Sequence, residues 1–123
     1  MVKILVDTTA GLSREYLAAH QLPLLPQIVV FGEDSYRDDT ELDTQTFLKK
    51  LRESTVLPKT AAPPPALYTP IYRRLLDEGH SILVITPSAD VSGTTRSAEV
   101  AAQDFPGADI RVLDTRVLAG PMA

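Results

Sequence analysis

Four short polar segments hold most of the side chains in this sequence that could do chemistry: Asp7-Thr8-Thr9, Thr86-Pro87-Ser88, Ser92-Gly93-Thr94-Thr95 and Asp114-Thr115. Three of them close apolar runs, Val2–Asp7, Ser81–Thr86 and Asp109–Asp114, that read as buried strands. In an open α/β sheet ligands bind outside the carboxyl ends of the strands, so hydroxyls and carboxylates there can hydrogen-bond a ligand. The same residue types are good turn formers and helix caps, and for each residue taken singly both readings stay open. Ser92-Gly93-Thr94 is sharper, because a small flexible segment opening a helix offers unpaired N–H groups and the positive end of a dipole to an anion. Its simpler reading is that Ser92 only caps its own helix. Thr60 adds an isolated hydroxyl inside a proline-rich stretch.

Several reaction classes are poorly served by what remains. The chain has no cysteine, hence no thiolate nucleophile and no Cys-ligated metal, and its two histidines, His20 and His80, fall at the ends of expected helices. Ser92 lacks both the GxSxG elbow and a well-placed histidine base, so a small serine-dependent hydrolase stands only as an alternative. Neither GxGxxG nor GxxxxGK[ST] occurs, so no nucleotide cofactor is expected, nor any other. Asp38, Asp39, Glu41 and Asp43 resemble a calcium loop superficially, but Thr44 stands where such a loop needs glycine and Lys50 where it needs glutamate. The acidic stretch reads as a solvated turn with favourable charge at a helix start.

The elements that must position these groups follow from apolar spacing and punctuation. Val2–Asp7 is a strand, Ser13 caps a helix through about His20, and Leu24–Phe31 is a second strand that turns at Gly32-Glu33-Asp34 into a return strand at Ser35–Arg37. Thr44 caps a helix with Phe47, Leu48 and Leu51 on one face. Thr55–Pro65 carries Pro58, Pro63, Pro64 and Pro65 and is expected to be a loop. A helix resumes by Thr69-Pro70 and stops at Gly79, with Leu75 and Leu76 on its apolar side; a start near Ala66 would put Pro70 inside it. Ser81–Thr86 is a strand, Gly93–Phe105 a helix with Ala98, Val100, Ala101, Ala102 and Phe105 available for burial, and Asp109–Asp114 the last strand. This order calls for an α/β domain with a mainly parallel open sheet and helices on both faces.

A length of 123 residues has room for one domain, and 44% hydrophobic residues suffice for its core. A formal charge of −4 argues against a nucleic-acid partner. No apolar stretch approaches the ~20 residues needed to span a bilayer, and Ile4, Leu5 and Val6 are too short for a signal-peptide core, so a cytoplasmic location is expected.

Five motifs, read in order, carry a resemblance. Val6-Asp7-Thr8-Thr9, Ser35-Tyr36-Arg37-Asp38, Leu57-Pro58-Lys59-Thr60 with prolines after it, Ser88 with Val91-Ser92-Gly93-Thr94, and Asp114-Thr115 together resemble the DegV family of fatty-acid-binding proteins through essentially the whole chain. The resemblance implies a non-enzymatic carrier. A long-chain fatty acid would be held by its carboxylate on Thr60 and Ser92, with Gly93, Thr94, Thr8, Ser88, Asp114 and Thr115 around them, and presented to a separate ATP-dependent fatty acid kinase. Two departures stand out. Ala61, Ala62, Pro63 and Pro64 follow Thr60 where the family usually has Thr-Ser-Gln-Pro-Ser, and residues 1–123 correspond to the first domain alone, without the second that helps close the acyl pocket. An apolar wall left open in this way is expected to favour self-association and weaker acid binding, and a ligand-free interaction domain is the remaining alternative.

An amphiphile also suits the physics of such a site. Burying a tail gains about 0.8 kcal/mol per methylene, and a desolvated carboxylate is tolerated only when it is hydrogen-bonded.

Overall fold

The computed structural model describes residues 1–119. Seven strands and four α-helices alternate along them: β1 (Val2–Asp7), α1 (Arg14–Ala19), β2 (Leu24–Leu25), β3 (Ile28–Phe31), β4 (Asp34–Arg37), α2 (Thr44–Glu53), β5 (Lys59–Ala61), α3 (Pro65–Asp77), β6 (Ser81–Thr86), α4 (Thr94–Ala102) and β7 (Ile110–Asp114). Four of the strands form a parallel sheet in the order β2-β1-β6-β7, and the other three an antiparallel sheet in the order β4-β3-β5. In the parallel sheet the chain moves outward from β1 to β2 on one side and from β6 to β7 on the other. The point where this direction reverses lies between β1 and β6, and crevices for ligands open above such points.

Side-chain alternation explains why helices cover both faces of the parallel sheet. Leu5, Ile82 and Val84 point to one face and pack with Tyr68, Tyr72 and Leu75 of α3 and Ala98 and Ala101 of α4. Val6 and Ile85 point to the other, where Leu17 of α1, Leu12, Leu22 and Leu24 close over them. The small side chains of α4 let it approach α3, and the Tyr72 hydroxyl donates to the Ala98 carbonyl at 3.1 Å. Val100, which the sequence offers for burial, is 40% exposed.

Local chemistry sets the helix ends. Ser13 caps α1, its Oγ accepting the Tyr16 N–H. In α2 the cap is Asp43, one residue before the expected Thr44, because its carboxylate accepts the Thr46 N–H at 2.7 Å and adds negative charge at the helix start. α3 ends in paired reverse bonds, Gly79 N–H to the Leu76 carbonyl and His80 N–H to that of Leu75, with Gly79 at φ +81°. α4 stops at Ala102, short of the expected Phe105.

Three expectations are corrected. Leu24–Phe31 is two strands in two sheets, since Pro26 has no N–H to donate and the chain turns there from the parallel sheet into the antiparallel one. Thr55–Pro65 is not all loop: Lys59–Ala61 adds a third strand to the hairpin, in register with Val30, Val29 and Ile28. α3 begins at Pro65 rather than Thr69. Pro65 suits the first helical turn, and Pro70 is accommodated inside because it and Ala66, whose carbonyl it leaves without a helical donor, both face solvent. In α2, moreover, Leu48 and Leu51 stay 43% and 36% exposed, and of the expected apolar face Phe47 alone makes a ring contact, with Phe31.

Candidate functional site

The parallel orientation brings the carboxyl ends of β1, β2 and β6 to one end of the sheet, and the polar segments gather there. Asp7 closes β1, is 2% exposed, and its Oδ1 accepts the Thr9 N–H at 2.8 Å and the Thr9 hydroxyl. Asp7 thereby caps the 3-10 turn Thr8–Ala10. Thr8 accepts the Gln27 N–H at 3.0 Å and donates to Asp38 Oδ2 at 2.7 Å, tying the end of β1 to the segment after β4. Burial, opposed by the Thr8 bond and reinforced by the neighbouring charges of Asp39 and Asp7, raises the Asp38 pKa.

Gln27 lies at the centre of the cluster. It follows Pro26 directly past the end of β2, is 8% exposed, and its Nε2 reaches Asp7 Oδ1 at 3.3 Å and Thr94 Oγ1 at 3.0 Å. Thr94 opens α4 fully buried, and its Oγ1 lies 2.8 Å from Ser92 Oγ, which also accepts the Thr94 N–H at 3.2 Å. Ser92 is therefore the partly exposed end of a buried polar chain. Asp7 Oδ2 and the Tyr68 hydroxyl are buried with no partner among the described residues. Burial, then Tyr72 and the Asp7 charge, push the Tyr68 pKa up, so this phenol stays protonated.

The second hydroxyl expected at the site comes from the other sheet. Thr60 pairs with Val29 in the β3–β5 ladder, is exposed, and makes no side-chain hydrogen bond among the described residues. The segment just beyond it meets the turn that opens α4: a Cβ placed on Gly93 would lie 3.7 Å from that of Ala62. The antiparallel sheet thus brings the proline-rich segment against the turn that opens α4.

The remaining expected residues stand close by but are engaged within the chain. The Thr115 hydroxyl donates to the Thr86 carbonyl at 2.8 Å, Asp114 Oδ1 accepts the N–H groups of Ala89 and Arg116, and Ser88 Oγ accepts that of Asp90. Thr86, buried, links to Thr95 at 2.8 Å. These bonds hold the β6–α4 and post-β7 loops in place. His20 is exposed at the end of α1, and His80 lies by Glu78 at the end of α3, so neither accompanies Ser92. No cluster of three or more His, Cys, Asp or Glu able to hold a metal occurs among the described residues. A groove of about 870 Å³ lies elsewhere, along the solvent side of α3 between Pro65 and Glu78.

Sequence reasoning missed Gln27 and Ala62. Gln27 was legible in principle, since residues just past strand ends are the ones to inspect, but reading Leu24–Phe31 as one strand placed it mid-strand. Ala62 carries no chemical signal of its own and matters only through its contact with Gly93.

The model of the family described as "uncharacterised protein, DegV family" matches residues 1–123. The chain belongs to the DegV family. Among curated DegV relatives it is 32% identical over 115 residues to a DegV domain-containing protein of Clostridium perfringens, covering 94% of this chain and 41% of that protein. It is 29% identical over 116 residues to protein DegV of Bacillus subtilis, with the same coverage. Among solved structures, a fatty-acid-binding DegV family protein from Thermus thermophilus superposes with a TM-score of 0.86 at 31% identity over 97% of this chain and 42% of that one. A stearic-acid-binding protein from Eubacterium ventriosum gives 0.86 at 29% identity, over 97% and 43%. The chain thus spans about two-fifths of the length of the DegV proteins it matches. No helix among the described residues is long and apolar enough to cross a membrane.

Proposed function

We propose that this chain binds a long-chain fatty acid, with the carboxylate hydrogen-bonded by the hydroxyls of Thr60 and Ser92 and by the backbone N–H of Gly93, while Thr94 supports Ser92 from behind. In this reading Thr8, Ser88, Asp114 and Thr115 hold the loops that surround the head group. The observation that carries the proposal is the contact between Ala62, just past β5, and Gly93, which draws the Thr60 strand against the Ser92 turn. Relatives of the same fold described as fatty-acid binders support it. The protein acts as a carrier rather than an enzyme: the partners of Ser92 Oγ among the described residues are both on Thr94, and neither is a general base. It presents the bound acid to a separate fatty acid kinase. Val91, Val117 and Leu118 are exposed on the loops past β6 and β7 and offer an apolar border for the acyl tail or for a second chain.

Titration with dodecanoate, followed by amide chemical shifts, tests the assignment. Shifts should concentrate at residues 59–62 and 91–95, and Thr60→Ala and Ser92→Ala should each weaken binding by about 1–3 kcal/mol with the fold intact. Equal binding by the double variant would show that the head group sits elsewhere. Sedimentation velocity with and without the acid reports whether the open face closes by self-association.

A further inference from the structure

We infer that Asp7, Gln27 and Thr94 form a buried relay that fixes the direction of the Ser92 hydroxyl, turning its hydrogen outward to a ligand that accepts hydrogen bonds. The inference rests on the head-group reading above and adds three positioning residues to it.

The direction follows from counting donors and acceptors. Asp7 Oδ1 accepts the Thr9 N–H and the Thr9 hydroxyl, so it acts as an acceptor toward its third neighbour as well, and the Gln27 amide must turn its NH2 towards it. That nitrogen carries two hydrogens, and the second reaches Thr94 Oγ1 at 3.0 Å. Thr94 Oγ1 is thus an acceptor from Gln27, and two arrangements remain for its 2.8 Å contact with Ser92. If Ser92 donated, the Thr94 hydrogen would be stranded, because Thr94 is fully buried and its hydroxyl makes no hydrogen bond among the described residues other than those to Gln27 and Ser92. If Thr94 donates, the Gln27 amide hydrogens and the Thr94 hydroxyl hydrogen are all used. Ser92 Oγ then accepts both the Thr94 O–H and the Thr94 N–H, filling its two lone pairs. A stranded buried donor costs far more than a hydroxyl left facing the surface, so the second arrangement prevails.

Ser92 is partly exposed, and its one unused hydrogen-bonding group is its own hydrogen. The Ser92 hydroxyl is therefore set to donate and cannot accept, although the acidic Asp7 stands behind it through Gln27 and Thr94 and charge alone would favour a cation there. The relay selects an ionised carboxylate over an ammonium head group. Asp7 and Gln27 act through Thr94 and touch no ligand.

Neutron diffraction from deuterated crystals of the ligand-free chain reads the relay directly. A deuteron on Thr94 Oγ1 directed at Ser92 Oγ, with the Ser92 deuteron turned away from Thr94, is the expected result; a deuteron on Ser92 Oγ directed at Thr94 overturns the inference. This measurement does not depend on whether the chain binds fatty acid, so it separates failure of the relay from failure of the head-group reading. For the ligand step, Thr94→Val should weaken dodecanoate binding roughly 5- to 10-fold, the loss of about one hydrogen bond's constraint. Thr94→Ser, which keeps the hydroxyl, should bind within about twofold of the parent chain. Dodecylammonium should bind much more weakly than dodecanoate. Equal binding by the Val and Ser variants, or equal binding of the two amphiphiles, would refute the selection step.

Discussion

The two sheets of this molecule are packed very differently. The parallel sheet is buried between helices: Leu5, Ile82, Val84, Tyr68 and Tyr72 are at most 2% exposed. Among the strand residues of the antiparallel sheet only Val29 is buried, and every residue of β5 is exposed. Its ladder is held by backbone pairing, by the Phe31–Phe47 contact and by Lys50 over the Tyr36 ring. The first sheet has the apolar burial from which a domain draws its stability, whereas the second spends little on its own core and presents its residues outward. Stability and binding are therefore separable by mutation here.

The largest effect should come from the packed layer. Tyr72→Ala removes a fully buried ring and its hydrogen bond to Ala98, and should cost about 3–5 kcal/mol in chemical denaturation. Phe47→Ala, which uncouples α2 from the antiparallel sheet, should cost about half as much, roughly 1.5–2.5 kcal/mol, because Phe47 is only half-buried. Equal losses would abolish the distinction between the layers.

The junction between the sheets should reveal itself in pH dependence. Burial raises the Asp38 pKa above its ordinary 3.8, so the folded state takes up a proton before the unfolded chain does. Asp38 accordingly opposes folding above its raised pKa, and that penalty fades as pH falls into the ordinary carboxylate range. Asp39 behaves oppositely: the Arg37 hydrogen bond lowers its pKa, and its contribution is lost only as pH falls through that lowered value. Asp38→Asn should therefore raise the thermal midpoint at neutral pH, and its advantage should shrink on acidification towards pH 4. A gap that widens on acidification would mean that the Asp38 charge is stabilised at the junction.

Thr60→Ala should have the smallest effect on stability, within about 0.5 kcal/mol, since its side chain is exposed and makes no hydrogen bond among the described residues. The same substitution should weaken fatty-acid binding. A large loss of stability would place Thr60 in the framework instead of the site.

Much of the framework was legible without coordinates. Val2–Asp7 and Ser81–Thr86 match their strands to the residue, because an apolar run ending in polar turn residues has few other uses. Ser13 and Gly79 mark helix ends by chemistry that acts within a few residues. The two misread strand segments lie where distant segments decide. Whether Leu24–Phe31 continues or breaks depends on which sheet takes each half, and Lys59–Ala61 becomes a strand only because β3 offers it a free edge.

The sequence by itself determined the strands Val2–Asp7 and Ser81–Thr86, the absence of thiol chemistry, the family resemblance and the placement of hydroxyls past the strand ends, since each depends on residue type and local spacing. Only the tertiary structure decided that Gln27 would join Asp7, 20 residues before it, to Thr94, 67 residues after it, and that Ala62 would rest against Gly93. Hydrogen-bond direction depends on the whole inventory of donors and acceptors enclosed together, and no window along the chain contains that inventory.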